Sequence, residues 1–429
     1  MSRFLFATMP VAGHVAPIMP VARTLVERGH DVVWYGSKYY ADSIVRAGAS
    51  FRPIRSTVDY GDGRYDEHFP GRDRFHGLRK VVFDFEHAFV NATAGYLTDL
   101  REICHEFHPD AMVHDPAVIA GAIIGINDGL PAATINISVL SIEGRSVGPF
   151  GLGLLPADGP LGRLRNRAMF GLVDHVIFGR VNRAYRRLAA QHGWPVFPVR
   201  PRAGDWLFLQ PSVEAFEYPR PDLPRLVHFI GPLLPAVPDD FIPPAWLANV
   251  ENARSKGTPV VLVTQGTVAT DASELIEPTL RALEFEDLFV VAAGADANDL
   301  EHIPTNARVE RFVPFAALMP LVDAYVTNGG YGGVTIALAN GVPVVSGGTT
   351  EDKAEVGQRV AYSGVGINLK TNRPNERKLR DAILTILGDP GFRTRAALIQ
   401  SDFARHDAPA EAADLLERLA DTQQPVLRA

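Results

Sequence analysis

Two sets of residues in this chain have the types and spacing to do chemistry together. The first is His14, in PVAGHVAP, and Asp115, in VHDPAVIAG; each follows a short apolar run that reads as a β-strand. An imidazole can take up a proton near neutral pH, and a carboxylate beside it can orient the ring and stabilise its charged form. In a parallel sheet both would emerge at the same edge. Asp115 has a plainer reading as the cap of the helix that follows it. The second set is TNGGYGGVTIALANGVPVV, residues 327–345. There a β-prone run (Ala324, Tyr325, Val326) ends in Gly329, Gly330, Gly332 and Gly333, and a helix-compatible stretch runs on to Gly341 and Pro343. Such a turn aims unpaired backbone N–H groups, reinforced by the helix dipole, at one spot, so a phosphate or diphosphate is the natural guest.

The elements that must position these residues alternate short apolar strands with helical patterns, the signature of a parallel sheet wrapped by helices. The clearest strands of the first half are 4–9, 31–36, 110–115 and 132–138, with a helix from about Pro17 to Arg28. The pattern restarts with 259–266, 289–294, 309–313, 324–328 and 343–348. Between the halves, nine prolines fall within 211–245. We therefore expect an α/β protein of two doubly wound, Rossmann-like domains facing across a cleft: 1–217, a stiff linker at 218–245, 246–400, and a C-terminal helix at 401–429 that crosses back to the first domain.

Composition narrows the function. Net charge of −7 argues against general nucleic-acid binding, which needs a basic face. No apolar run reaches the roughly 18 residues of a membrane span. Cys104 is the only cysteine, so no intrachain disulfide is expected, and a cytoplasmic location is the default. PVAGHVAP lacks the G-x-G-x-x-G spacing of dinucleotide binding, and there is neither a G-x-S-x-G elbow nor a P-loop. His105 and His108, near Glu102 and Glu106, read as an exposed helix face rather than a metal site. No Asp-x-Asp triplet offers a clamp for a metal-bridged diphosphate.

The order of the motifs is more specific than any one of them. Gly13-His14 after the first strand, Asp115 after a later one, Phe312-Val313-Pro314, the glycine turn, ALANGVP (337–343), TEDKAEVGQRV (350–360) and GVGINL (364–369) follow one another. Together they resemble the family 1 glycosyltransferases of the GT-B fold, particularly the bacterial macrolide and natural-product branch. The likeness covers nearly the whole chain and is strongest over 309–369. It implies inverting transfer of a sugar from a UDP- or dTDP-linked donor to a hydroxyl of a hydrophobic small molecule, with no metal and no other cofactor. His14 would be the base and Asp115 its holder. The amides of Gly329, Gly330, Gly332 and Gly333 would stabilise the departing diphosphate.

The same likeness assigns Gln265, Gly266 and Thr267 to a second diphosphate loop, and Phe312, Val313 and Pro314 to the backbone that meets the base. Asp352 and Lys353 would contact the sugar. Asn328 stands where the family usually has histidine, Phe315 where glutamine is common, and Ile336 where plant members carry a glutamate.

On the acceptor side, 72–107 reads as an amphipathic helix. Val82, Phe85 and Phe89 share a face that is either core or acceptor pocket. The glycine- and proline-rich loop 148–162 is expected to be a mobile lid. Between 163 and 187 there are seven arginines against one aspartate, Asp174. A solvated face is the plainer reading of that stretch, and contact with an anionic membrane the alternative. The oligomeric state is not legible.

Overall fold

The computed structural model describes residues 1–235, 241–265 and 271–428. Two fully parallel sheets form the frame. The first holds β1 (Arg3–Ala7), β2 (Asp31–Gly36), β3 (Ser50–Pro53), β4 (Ala111–His114), β5 (Ala132–Ile135), β6 (Leu207–Gln210) and β7 (Val227–Phe229), in the order β3-β2-β1-β4-β5-β6-β7. The second holds β8 (Val260–Thr264), β9 (Phe289–Ala293), β10 (Ala307–Glu310), β11 (Ala324–Thr327), β12 (Val344–Ser346) and β13 (Gly366–Asn368), in the order β10-β9-β8-β11-β12-β13. The central strands RFLFA, VVLVT and AYVT are almost wholly buried, because helices cover both faces of each sheet.

In both sheets the strand order reverses next to the first strand. That switch point lies between β1 and β4 in one (Ala7 opposite His114) and between β8 and β11 in the other (Thr264 opposite Thr327). Ligands of open α/β sheets bind beyond the carboxyl ends of the strands at such a point.

The proline-rich stretch differs from the expected linker. Its first part is a sheet edge: β7 pairs with β6, Phe208 opposite Val227, so the first sheet runs on past residue 217. At the other end of the chain, the helix Ala408–Thr422 lies in the first domain's core. It packs Ala412, Leu416 and Leu419 with Val21, Ala22 and Leu25 of the helix Met19–Glu27. Arg28 bonds Asp414 (2.6 Å) and Glu417 (3.1 Å) at the rim of this contact.

The single helix expected over 72–107 is broken. An α-helix at Leu78–Asp84 widens into a π-turn at Phe85–Val90, and a separate helix begins at Thr93.

The two sheets face each other by their carboxyl ends. Tyr331, just after β11, donates its hydroxyl to the carbonyl of Pro211, just after β6 (2.6 Å). Ser138, beyond β5, donates to Asp352, beyond β12 (2.6 Å). Val139, Val213 and Phe216 of the first half are buried in the apolar core of the second.

Candidate active site

The chain leaves β1 through Pro10, turns with Val11 N–H bonded to Met9 C=O (2.8 Å), and enters a one-turn helix, Ala12–Val15. Buried Val15 anchors that turn, and His14 points back so that its Nδ1 lies 3.2 Å from Oδ2 of Asp115. This nitrogen is buried and has no other partner; the contact is close without being fully aligned as a hydrogen bond. Nε2 is unengaged among the described residues, and the side chain keeps 19% of its exposure. A partly exposed imidazole with a buried carboxylate behind one of its nitrogens is therefore assembled.

Asp115 is completely buried at the end of β4. Its Oδ2 accepts the N–H of Met9 (2.7 Å) and its Oδ1 the N–H of Ala117 (2.7 Å). Burial alone would push its carboxyl up. The His14 ring and the two amides outweigh burial and hold it below the usual carboxylate range. Asp115 sits against the histidine, but the cap reading does not hold. The next helix begins only at Ile119, with Val118 at its N-cap and no side-chain cap, and Asp115 instead fixes the turn before it through the Ala117 amide. The neighbouring His114 is a different case: wholly buried, it is bonded to the carbonyl of Asp115 (2.8 Å) and packed where a Cβ on Gly121 would strike its ring. Burial keeps it neutral.

Across the cleft, β11 ends in the glycine turn and the helix Tyr331–Ala339 begins at once. The N–H groups of Gly330, Tyr331, Gly332 and Gly333 have no acceptor among the described residues. The expected set changes by one: the amide of Gly329 bonds Thr327 Oγ1 (3.2 Å), and the N–H of Tyr331 joins the free donors instead. Only glycine suits position 329, where φ is +93° and a Cβ would come 2.8 Å from Ser346 Oγ. Gly333 packs closely too, since a Cβ there would meet the Tyr325 hydroxyl at 2.5 Å.

Asn328 donates Nδ2 to the carbonyl of Gln265, while its buried Oδ1 has no partner. The Gln265 side chain holds the start of the next helix, accepting from Leu275 (3.1 Å) and Ile276 (3.0 Å) and donating to Asp271 C=O (2.6 Å). Its backbone carbonyl faces the turn, where it accepts from Asn328. Gly266 and Thr267 lie outside the described residues. Beyond β10, Phe312 is 80% exposed, Val313 is buried and Pro314 opens a short helix.

Asp352 and Lys353 come to the turn along the loop after β12. The carbonyl of Lys353 lies 3.4 Å from where a Cβ on Gly329 would be. Lys353 pairs with Glu351 (2.8 Å), which sits at φ +56°. Asp352 is partly buried between the domains. Desolvation there pushes its carboxyl up, and the hydrogen bond from Ser138 only partly opposes this.

Behind this loop a clamp joins the halves. Asp352, Glu355, Arg359 and Tyr362 recur at helical spacing on one face of the helix Lys353–Tyr362. Buried Arg359 bonds Glu217 (2.5 Å), Glu355 (3.0 Å) and the Leu140 carbonyl (2.9 Å), and stacks over Tyr218 (4.2 Å). Burial works against its charge, but the two carboxylates outweigh that and keep it ionised. Glu355 also accepts the amides of Gly151 (3.1 Å) and Gly153 (2.8 Å). The segment expected to be a mobile lid is thus tied down, and from Gly159 it is already helix.

A segment spanning residues 279–419 matches the family described as erythromycin biosynthesis protein CIII-like, C-terminal domain. The 4'-demethylrebeccamycin synthase of Lentzea aerocolonigenes is 41% identical over 423 residues, 97% of this chain and 99% of its own. The chain belongs to the family 1 glycosyltransferases of the GT-B fold. UDP-glycosyltransferase 2 of Phaeomoniella chlamydospora is 30% identical over 97% of this chain and 95% of its own. The crystal structure of the glycosyltransferase of kitacinnamycin superposes with a TM-score of 0.75 at 22% identity, covering 99% of both chains.

The protein is therefore a nucleotide-sugar glycosyltransferase, and its departures from the family pattern have a physical context. Phe315 sets its ring edge-on to Tyr325 (6.3 Å), and Ile336 packs against the same apolar core, so neither offers a polar group. Val82, Phe85 and Phe89, expected either in the core or at the acceptor, are half-buried, with Phe85 against Phe89 (4.9 Å) and Phe178 (5.0 Å). His105 and His108 form no metal cluster, and among the described residues no group of three ligating side chains exists. Sequence reasoning missed Ser138, Tyr331 and the Glu217–Arg359–Glu355 clamp. Only the helical spacing of 352, 355, 359 and 362 could have signalled the last.

Proposed function

We propose that this glycosyltransferase moves a sugar, with inversion and without a metal, from a UDP- or dTDP-sugar to a hydroxyl of a hydrophobic natural product, phenol or macrolide. The observation that carries this reading is the His14–Asp115 pair at the β1/β4 switch point, with Nε2 of the partly exposed ring without a partner among the described residues. Nε2 takes the acceptor proton, and Asp115, held anionic by two amides, stabilises the resulting imidazolium. The acceptor oxygen forms its bond to the anomeric carbon from the face opposite the diphosphate, and the carbon–oxygen bond to the diphosphate breaks. The free N–H groups of Gly330, Tyr331, Gly332 and Gly333, at the positive end of their helix, suit the charge that develops on the leaving group. No step needs a further cofactor.

Asp352 and Lys353 suit sugar hydroxyls. A desolvated carboxylate with one hydroxyl partner gains from further donors. Gln265, Phe312, Val313, Pro314 and Asn328 surround the nucleotide and diphosphate in this reading. The relatives point to natural-product acceptors by name, one being a demethylrebeccamycin synthase, and the half-buried aromatic face of Phe85 and Phe89 suits an apolar ring system.

The test is a panel of UDP- and dTDP-sugars against phenolic and macrolide acceptors, read by mass spectrometry, with the anomeric configuration of any product assigned by NMR. A product heavier by one sugar, inverted at the anomeric carbon and absent with His14→Ala, supports the reading. Retention of configuration, or an undiminished rate in the variant, overturns it.

A further inference from the structure

The helical pair beyond residue 158 carries an outer face that nothing in the molecule covers. Leu161 is 82% exposed, Leu164 65%, Leu172 43% and Val176 70%. With exposed Ala168 they are spaced 3, 4, 4 and 4 along the helix Gly159–Leu172 and the π-turn Val173–Ile177, so they form one continuous apolar stripe. The other side of the same helix faces inward: Asn166 is buried and bonds the Arg145 carbonyl (3.1 Å), and Phe170 lies under the Arg200 guanidinium (4.9 Å). A single exposed leucine needs no explanation, whereas an aligned row on one helix does.

The charge on these two helices is mostly positive, with exposed Asp158 at the N-cap of the first as the acid nearest the stripe's start. Arg163, Arg165 and Arg167 lie on the same helix, and Arg180, Arg183, Arg186 and Arg187 on the next, Gly179–His192. The lone acid between them, Asp174, is already held by Arg200 (2.9 Å), and only Arg180 meets a carboxylate, Glu86 (2.6 Å). Arg165 turns to the Leu155 carbonyl (2.9 Å) and Asn166. Arg163, Arg167, Arg183, Arg186 and Arg187 have no acidic partner among the described residues. This cationic region belongs to a chain whose net charge is −7.

We propose that this face docks on an anionic lipid surface, with the leucine stripe entering the headgroup boundary and the arginines engaging phosphates. An apolar stripe beside unpaired guanidinium groups is what an interfacial helix needs, since arginine can sink its stem along apolar surface and keep its head among phosphates. The acidic remainder of the protein is repelled by the same membrane, which leaves one orientation. A second copy of the chain is disfavoured as the occupant, because a two-fold contact along the stripe would bring the unpaired arginines of both copies together.

Docking there has a consequence for catalysis, which rests on the acceptor placement under Proposed function. Phe178, at the junction of the two helices, packs edge-on against Phe85, and Val82, Phe85 and Phe89 belong to the same apolar cluster as Val181 and Tyr185. The membrane would then lie beside the acceptor side of the cleft, where a lipophilic acceptor dissolved in lipid is most concentrated.

Flotation of the full chain with phosphatidylcholine vesicles, with and without phosphatidylglycerol, tests the proposal. The wild type is expected to float only with the phosphatidylglycerol vesicles and to be released by high salt. The surface pair Leu161→Ser with Leu164→Ser, and the pair Arg163→Gln with Arg167→Gln, should each lower the bound fraction about tenfold at unchanged Tm. Failure of the wild type to float overturns the proposal, as does flotation indifferent to the leucines. Self-association that the leucine variants abolish, with no vesicle binding, would make a second copy the occupant. Transfer to a water-soluble acceptor is followed in parallel: the stripe variants should keep it. Loss of transfer with vesicle binding intact would count against the proposed function and leave the docking surface standing.

Discussion

In both domains the groups we propose to be functional sit where strand order reverses, after β1 and β4 in one sheet and after β8 and β11 in the other. The means differ. The first domain presents two side chains, His14 and Asp115, each with a defined partner set. The second presents backbone: the free N–H groups of Gly330, Tyr331, Gly332 and Gly333, shaped by where a Cβ is forbidden. A side-chain pair can lose its chemistry with one atom. A backbone cradle survives most changes of side chain but fails where a Cβ would enter it.

The sharpest test of that contrast is His14→Ala. Loss of a positioned base should lower kcat about 10²–10⁴-fold, while titration calorimetry should find donor affinity unchanged. Equal losses in both would erase the division of labour between the domains.

The clamp that joins the domains comes next in size. Arg359→Met leaves Glu217 and Glu355 as uncompensated buried charges, so unfolding in urea should show a loss of about 3–5 kcal/mol. Adding Glu217→Gln and Glu355→Gln to that variant should recover part of it. No recovery would mean that packing of Arg359 over Tyr218, not charge, holds the halves together.

The asymmetry between side chain and backbone also governs what the sequence revealed. Strands such as RFLFA and VVLVT are legible because a doubly covered parallel strand is a continuous apolar run. Edge strands are not: β3 (SFRP) and β13 (GIN) carry polar residues, and β7 hides among prolines. The family resemblance rests on the order of motifs, and the site residues came from it together with strand-end placement. Long-range polar pairing has no local signature: Arg359 meets Glu217 across 142 positions and Leu140 across 219. The change from Gly329 to Tyr331 as amide donor was equally hidden, because it depends on one φ angle and on the Thr327 hydroxyl. The break in the helix at 85–92 had no glycine or proline to announce it.

On the backbone side the prediction distinguishes neighbours. Gly329→Ala must hold φ at +93° and crowd Ser346, costing about 1–3 kcal/mol. A drop in Tm and about tenfold weaker donor binding should follow, as expected for a shifted N–H cradle. Gly332→Ala meets nothing within 4 Å, so its Tm should stay at the wild-type value. Similar Tm losses at both positions would show that the turn tolerates no side chain anywhere, rather than at chosen points.

The smallest effect separates the two carboxylates by sign. Asp115 in the folded protein lies below its ordinary value of 3.8, and Asp352 lies above it. Asp115 therefore contributes stability that is complete above pH 3.8 and is lost as pH falls through its depressed folded value. Asp352 runs the other way: its desolvated anion is a cost at neutral pH, relieved as pH falls through its raised value towards 3.8. Tm is measured over a pH series for the wild type, Asp115→Asn and Asp352→Asn. The wild-type advantage over Asp115→Asn should shrink below pH 3.8, and that over Asp352→Asn should grow as pH is lowered towards 3.8 from neutral. The two difference curves cancel the titration of every other group, so slopes of the same sign would mean that the carboxylates share one environment. A positive result would leave a division that suits the proposed catalysis: an anion built to stay charged behind His14, and a desolvated carboxylate awaiting donors of the kind a sugar hydroxyl supplies.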